Sequence, residues 1–141
     1  VFTALQDHPA LQKIHFSARC FRYLPSLSGL EVLLRSQDSK ITELVLENVN
    51  TATVGFHPVM QELGRNITVT KLAIRYSVLS REKVQELKAM LRRNTALQTL
   101  ILRGHCLRSA DLAEIGPVLY RNTSIKSLVL SSDSPQQDDY K

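Results

Sequence analysis

The chain has 141 residues, 43% of them apolar, a formal net charge of +5 and a pI near 9.5, which fits one domain with a core of its own. No apolar run approaches the roughly 18 residues of a membrane span, and 6% aromatic residues with no Trp suit a leucine-based stack better than a sandwich or barrel. Two cysteines 86 residues apart, Cys20 and Cys106, with no cysteine-rich segment beside them, point to free thiols and a cytoplasmic or nuclear location. The first residues carry neither a basic leader nor a small-residue cleavage site.

In chain order, Val1, Ala4 and Leu5 precede His8 at the spacing of a helix end, followed by a short strand on Leu11, Ile14 and Phe16. A helix entered in its middle predicts that the chain is a piece of a longer stack. Ile41, Leu44 and Leu46 mark a second strand after Asp38. Val59, Glu62 and Leu63 then form a helical stripe before Asn66, with Pro58 in its early part, where a missing N–H is tolerated. From Asn66 the chain repeats itself every 28 residues. NITVTKLAIR, NTALQTLILR and NTSIKSLVLS open at Asn66, Asn94 and Asn122, with Val69/Leu72/Ile74, Leu97/Leu100/Leu102 and Ile125/Leu128/Leu130 in matching places.

Between these strands, Val84, Leu87, Met90 and Leu91, then Leu112, Ile115, Val118 and Leu119, carry the helical period. Ser80 with Glu82 and Ser109 with Asp111 are the expected helix starts. Gly116-Pro117 predicts a kink or a converted turn in the last helix. Residues 132–141 are polar and aperiodic, expected as a disordered linker or tag-like tail. A unit of strand, loop and helix cannot bury its leucines alone. Successive strands must therefore pair in parallel while the wider helices bend the stack with its strands inside.

The pattern resembles the leucine-rich repeat, specifically the long, helix-bearing type of ribonuclease inhibitor and the NOD-like receptors, over roughly residues 1–131 with five strands. That resemblance implies an α/β solenoid with a curved parallel sheet on the concave side and helices on the convex side. Leu79 and Leu107 fill the position after the strand in two copies. The consensus Asn or Cys of the family is replaced by Arg19, Val49, Ser77, His105 and Asp133, so the side-chain ladder at that position is expected to be absent or irregular.

Chemical motifs are few. No Gly-rich phosphate loop occurs, and the four histidines sit in different units without metal-ligand spacing, so neither metal nor other cofactor is expected. His105 and Cys106 are neighbours, but adjacent residues on an extended segment face opposite ways and no base-orienting acid accompanies them. Catalysis is not expected. Asn66-Ile67-Thr68 and Asn122-Thr123-Ser124 are formal glycosylation sequons in the same repeat slot, where the helix-to-strand turn by itself accounts for Asn.

What remains is surface. By the resemblance, the non-leucine strand positions line the concave face as three ladders. The middle ladder is His15, Val45, Ala73, Ile101 and Val129, an apolar stripe expected to be exposed. One flank is Lys13, Glu43, Lys71, Thr99 and Ser127. The other is Ser17, Glu47, Arg75, Arg103 and Ser131, with Tyr76 next to Arg75. The unit from Asn66 to Arg93 holds seven basic and two acidic residues, which equals the whole net charge.

The reading is a non-catalytic protein–protein interaction module or scaffold. Its acidic partner, or another domain of its own chain, would meet Lys71, Arg75 and Arg103 beside Ile101, while Glu43 and Glu47 fix the register. Self-association through uncapped repeat ends is also expected. Two alternatives are regulation of a small GTPase, by fold analogy alone, and nucleic-acid binding by the basic surface. The scarcity of aromatic stacking groups and the split of cations between both faces weigh against the latter.

Overall fold

The computed structural model describes residues 10–17, 26–36, 39–50, 53–104 and 107–131. Five strands, β1 (Lys13–Ser17), β2 (Glu43–Glu47), β3 (Lys71–Arg75), β4 (Thr99–Arg103) and β5 (Ser127–Ser131), alternate with four helices, α1 (Leu30–Arg35), α2 (Phe56–Arg65), α3 (Arg81–Arg93) and α4 (Ser109–Arg121). The strands form one open parallel sheet in sequential order.

Sequence spacing becomes sheet register directly. Glu43 pairs with Lys71, Lys71 with Thr99 and Thr99 with Ser127, each a step of 28. Lys13 pairs with Glu43 across the first step of 30. Alternation along each strand then sends Ile14, Phe16, Leu44, Leu46, Leu72, Ile74, Leu100 and Leu102 to one face, all buried. There they merge with helix residues such as Leu30, Val59, Leu63, Leu87 and Met90 into a single core. All four helices therefore lie on the same side of the sheet, and the odd strand positions occupy a helix-free face.

The helix ends explain themselves locally. The Ser80 hydroxyl accepts from Lys83 N at 3.3 Å and starts α3. At α4 the helix starts at Ser109 as expected, with Arg108 before it as the cap. Asp111 Oδ2 accepts the Arg108 N–H at 3.0 Å, so the carboxylate rather than the serine hydroxyl satisfies a free donor here. The helix runs unbroken through Pro117, so no converted turn appears there. Ala113, whose carbonyl loses its donor to the proline, is itself on the exposed side of the helix. Pro58 lies in the first turn of α2 as expected.

Each helix from α2 onward stops at the repeated asparagine, and the side chain does the stopping. Asn66, Asn94 and Asn122 all leave the helix in extended geometry. Each Oδ1 accepts from the backbone N–H groups two and three residues on. Each Nδ2 donates back to a carbonyl of the preceding unit, namely Leu34, Leu63 and Leu91. Asn94 and Asn122 also donate to the backbone carbonyl of the asparagine before them. An asparagine ladder thus runs along the stack at the helix-to-strand corner.

A second period of 28 appears at the other corner. Asn48, Tyr76 and Gly104, each directly after a strand, all have positive φ (58°, 49° and 73°). Asn and Gly adopt this conformation readily, whereas a tyrosine Cβ is crowded there. Two residues after β2 and β3 the side chains differ: Ser77 Oγ accepts the Val49 N–H at 3.0 Å and donates to Arg75 O at 2.9 Å, while Val49 itself is buried core. Gly55, at φ 90°, lies where the chain passes the previous unit so closely that a Cβ would stand 2.7 Å from Ser28 N. The readings on Val1, Ala4, Leu5, His8, Arg19, Cys20, His105, Cys106, Asp133 and residues 132–141 fall outside the described residues.

Candidate functional site

The helix-free face carries every strand residue singled out from the sequence, and the register sets them in rows. Glu43, Lys71 and Thr99 are neighbours across β2–β4, as are Val45, Ala73 and Ile101, and Glu47, Arg75 and Arg103. Adjacent members of a row lie about 5 Å apart, the spacing of paired strands. Tyr76 follows Arg75 into the left-handed turn and is half-buried.

The apolar row is not an exposed stripe. Val45 and Ala73 are completely buried, and Ile101 is half-buried. Both buried side chains are short and sit on inner strands, with a same-face neighbour on either side and longer charged side chains before and after them. Val45 and Ala73 therefore serve as a floor to the face and not as contact surface.

Charge on this face is largely self-compensated on β1–β3. Glu43 Oε1 stands 3.5 Å from Lys13 Nζ and 3.4 Å from Lys71 Nζ. Partial burial works to raise the Glu43 pKa, but attraction to Lys71 and Lys13 and their hydrogen bonds outweigh it and hold the carboxyl below its ordinary value. Lys71, expected to wait for an acidic partner, thus already has one within the chain. Glu47, the register neighbour of Arg75, reaches the other way. Its Oε2 lies 2.6 Å from His15 Nε2, a diagonal contact that a list of directly opposed residues does not contain.

Arg75 is the exception. Its Nε is buried and has no hydrogen-bond partner among the described residues, and Arg103 stands beside it in register. A buried guanidinium donor without an acceptor is costly, by about 1–3 kcal/mol or more for a charged group.

The helix side looks different. Some of its basic side chains reach acids on the neighbouring helix: Arg35 to Glu62 at 3.0 Å, His57 to Glu86 at 3.2 Å, and Arg81 and Lys88 to Glu114 at 3.7 and 3.3 Å, while Arg65, Arg92 and Arg121 are exposed without an ion pair among the described residues. Hydrogen bonds from Gln85 and Lys88 hold the Glu114 carboxyl below its ordinary value. Glu62 occupies a core-line position of its helix and is buried, so Arg35 is the partner that makes its charge tolerable there. Among the described residues no group of three His, Cys, Asp or Glu side chains converges as a metal site. No helix there is long and apolar enough to cross a membrane.

A scan against protein-family models matched none of them, and a search of curated proteins found no match.

Proposed function

We propose that this chain is a stretch of leucine-rich repeats of the long, helix-containing type, curved with its sheet on the inside. Its role is that of a non-catalytic protein–protein interaction module in the cytoplasm or nucleus. Its concave face grips a carboxylate-rich element of another protein, or of another domain of its own chain, at Arg75 and Arg103. The observation that supports this reading is the register that sets two guanidinium side chains, Arg75 and Arg103, next to each other on the helix-free face, with no ion pair to Arg75 among the described residues. A carboxylate matches the planar fork of Arg and can bond both arginines at once. Ile101 and Tyr76, half-buried near this corner, supply apolar edge contacts, and Thr99 lies at the far end of β4 beside Lys71. Glu43 and Glu47, engaged by Lys13, Lys71 and His15, bound the acidic element on the β2 side.

The test measures affinity for a partner recovered by pull-down, using the unaltered chain, Arg75→Glu/Arg103→Glu, and the control Arg65→Glu/Arg92→Glu on exposed helix positions. The strand pair is expected to abolish binding, and Arg75→Ala alone to cost about 1–3 kcal/mol. Loss in the helix control with retention in the strand pair refutes the reading.

A further inference from the structure

The chain passes from helix to strand at the same end of the stack each time, so helix C-termini and strand starts share one rim. Exposed cations gather there: Arg65, Arg92, Arg93 and Arg121 in the last helical turns, and Lys40 and Lys126 in the turns that lead into β2 and β5. None of them forms an ion pair among the described residues. The other charges at this end satisfy one another, Glu43 with Lys13 and Lys71, and Glu62 with Arg35. At the opposite end the helix starts are balanced, with Arg81, Lys83 and Arg108 matched in number by Glu31, Glu82 and Asp111. Basic residues that a linear reading divides between two faces therefore meet on the rim that joins those faces.

The repeat makes a row of them. Arg65, Arg93 and Arg121 each stand one residue before a ladder asparagine, on successive helices, and packed helices lie about 10 Å apart. The Arg93 stem lies across Gly64 of α2, where a side chain would come within 3.4 Å of its Cβ. Lys40, Arg65, Arg92 and Arg93 all belong to units with a described neighbour on either side, so their exposure does not come from an uncovered unit. Helix dipoles do not use up this charge. A helix C-terminus carries about half a negative charge, which one cation offsets. α3 ends on two arginines, and Lys40 and Lys126 lie outside the helices, so the rim keeps a clear positive excess.

A regular row of unpaired cations fits a linear polyanion. The side chains between the rungs are polar, such as Thr95, Gln98 and Thr123, all exposed, and hydroxyl and amide donors suit phosphate oxygens. Ile67, 77% exposed, is a lone apolar residue in the slot that Thr95 and Thr123 fill in the next units. A rim seated in a bilayer would repeat the apolar residue. Tyr120 is a single exposed ring in these last turns, and one ring is no stacking platform for the bases of a single strand.

We propose that this rim binds double-stranded nucleic acid through its phosphates, without reading base sequence. It lies at the strand starts, whereas Arg75 and Arg103 lie at the strand ends, and it does not depend on what binds there. Arg65 and Arg92, which a partner at the arginine corner does not need, are needed here, so the two readings fail separately.

Fluorescence anisotropy of a labelled mixed-sequence DNA duplex, titrated with the full 141-residue chain at several salt concentrations, tests it. Log affinity is expected to fall against log salt with a slope of about −4, as for four or five neutralised phosphates. Arg65→Gln/Arg92→Gln is expected to weaken binding at least tenfold at low salt and to flatten the slope by about two. Arg81→Gln/Arg108→Gln removes the same charge from the opposite end and is expected to change neither, and circular dichroism should match the unaltered chain for both pairs. Absence of binding at low salt overturns the proposal, as does an equal effect of the two pairs, which would mean diffuse attraction by net charge. So does a slope that the rim pair leaves unchanged, or binding to phosphatidylserine vesicles with none to the duplex.

Discussion

Asn94 concentrates more of the repeat's logic than any leucine. It is buried, and its amide makes four bonds: Oδ1 accepts from Ala96 N and Leu97 N, and Nδ2 donates to Leu63 O and Asn66 O. One side chain thus ends α3, shapes the turn into β4 and ties its unit to the one before. Asn94→Ala strands two donors and two acceptors at a buried corner, with a cost of about 2–4 kcal/mol expected in urea unfolding. Asn122, which makes the same bonds but is half-buried, should lose less on the same change because water can replace the amide. The Asn66 and Asn122 Nδ2 atoms, formal glycan acceptors, are committed to Leu34 O and Leu91 O. Tyr76 is the opposite case, a side chain held in a left-handed turn where its neighbours in the repeat are Asn48 and Gly104.

At the scale of elements, strands and helices are each joined by charge as well as by leucine. Lys13, Glu43 and Lys71 tie β1, β2 and β3 on one face. Arg35–Glu62, His57–Glu86 and the cluster at Glu114 tie successive helices on the other. The depressed pKa of Glu43 makes the strand tie testable by pH. A carboxyl whose folded pKa lies below its unfolded value stabilises fully above the unfolded pKa, and loses that contribution as pH falls through the folded pKa. Glu43→Gln is therefore expected to be less stable than the unaltered chain by about 1 kcal/mol or less at pH 7, the range of partly exposed ion pairs. The gap should be full above the ordinary glutamate pKa and close as pH falls through the lowered folded pKa of Glu43. A gap that persists at pH 2.5 in thermal melts would mean packing rather than charge is responsible.

Across the whole molecule, burial falls off toward β5. Leu72 and Leu100 are completely buried, yet Leu128 in the same repeat slot is 41% exposed. The same residue type in the same slot therefore has two different energies, set by whether a neighbouring unit covers it. Leu100→Ala is expected to cost about 3 kcal/mol through lost transfer and a cavity. Leu128→Ala in the same chain should cost about 1 kcal/mol or less. Equal losses at both sites in chemical denaturation would contradict a stack whose units are stabilised only by their neighbours.

Spacing in the sequence determined the element order, the parallel register and the identity of the core, because a period of 28 converts chain distance into strand adjacency without further information. The asparagines were equally legible as corner residues. The recurrence of positive φ after each strand was not, since Asn48, Tyr76 and Gly104 share a backbone shape and no chemistry. Nor was the fate of the face opposite the helices. A ladder written from the repeat lists Val45 and Ala73 as surface and Lys71 as available. Burial depends on the size of neighbours two strands away, and a salt bridge depends on which of several reachable partners a long side chain takes. Glu47 chose His15 on the diagonal, Glu43 took both lysines, and Arg75 was left with a buried donor and no acceptor. Those are choices among competing contacts of similar energy, and only the assembled tertiary structure decides them.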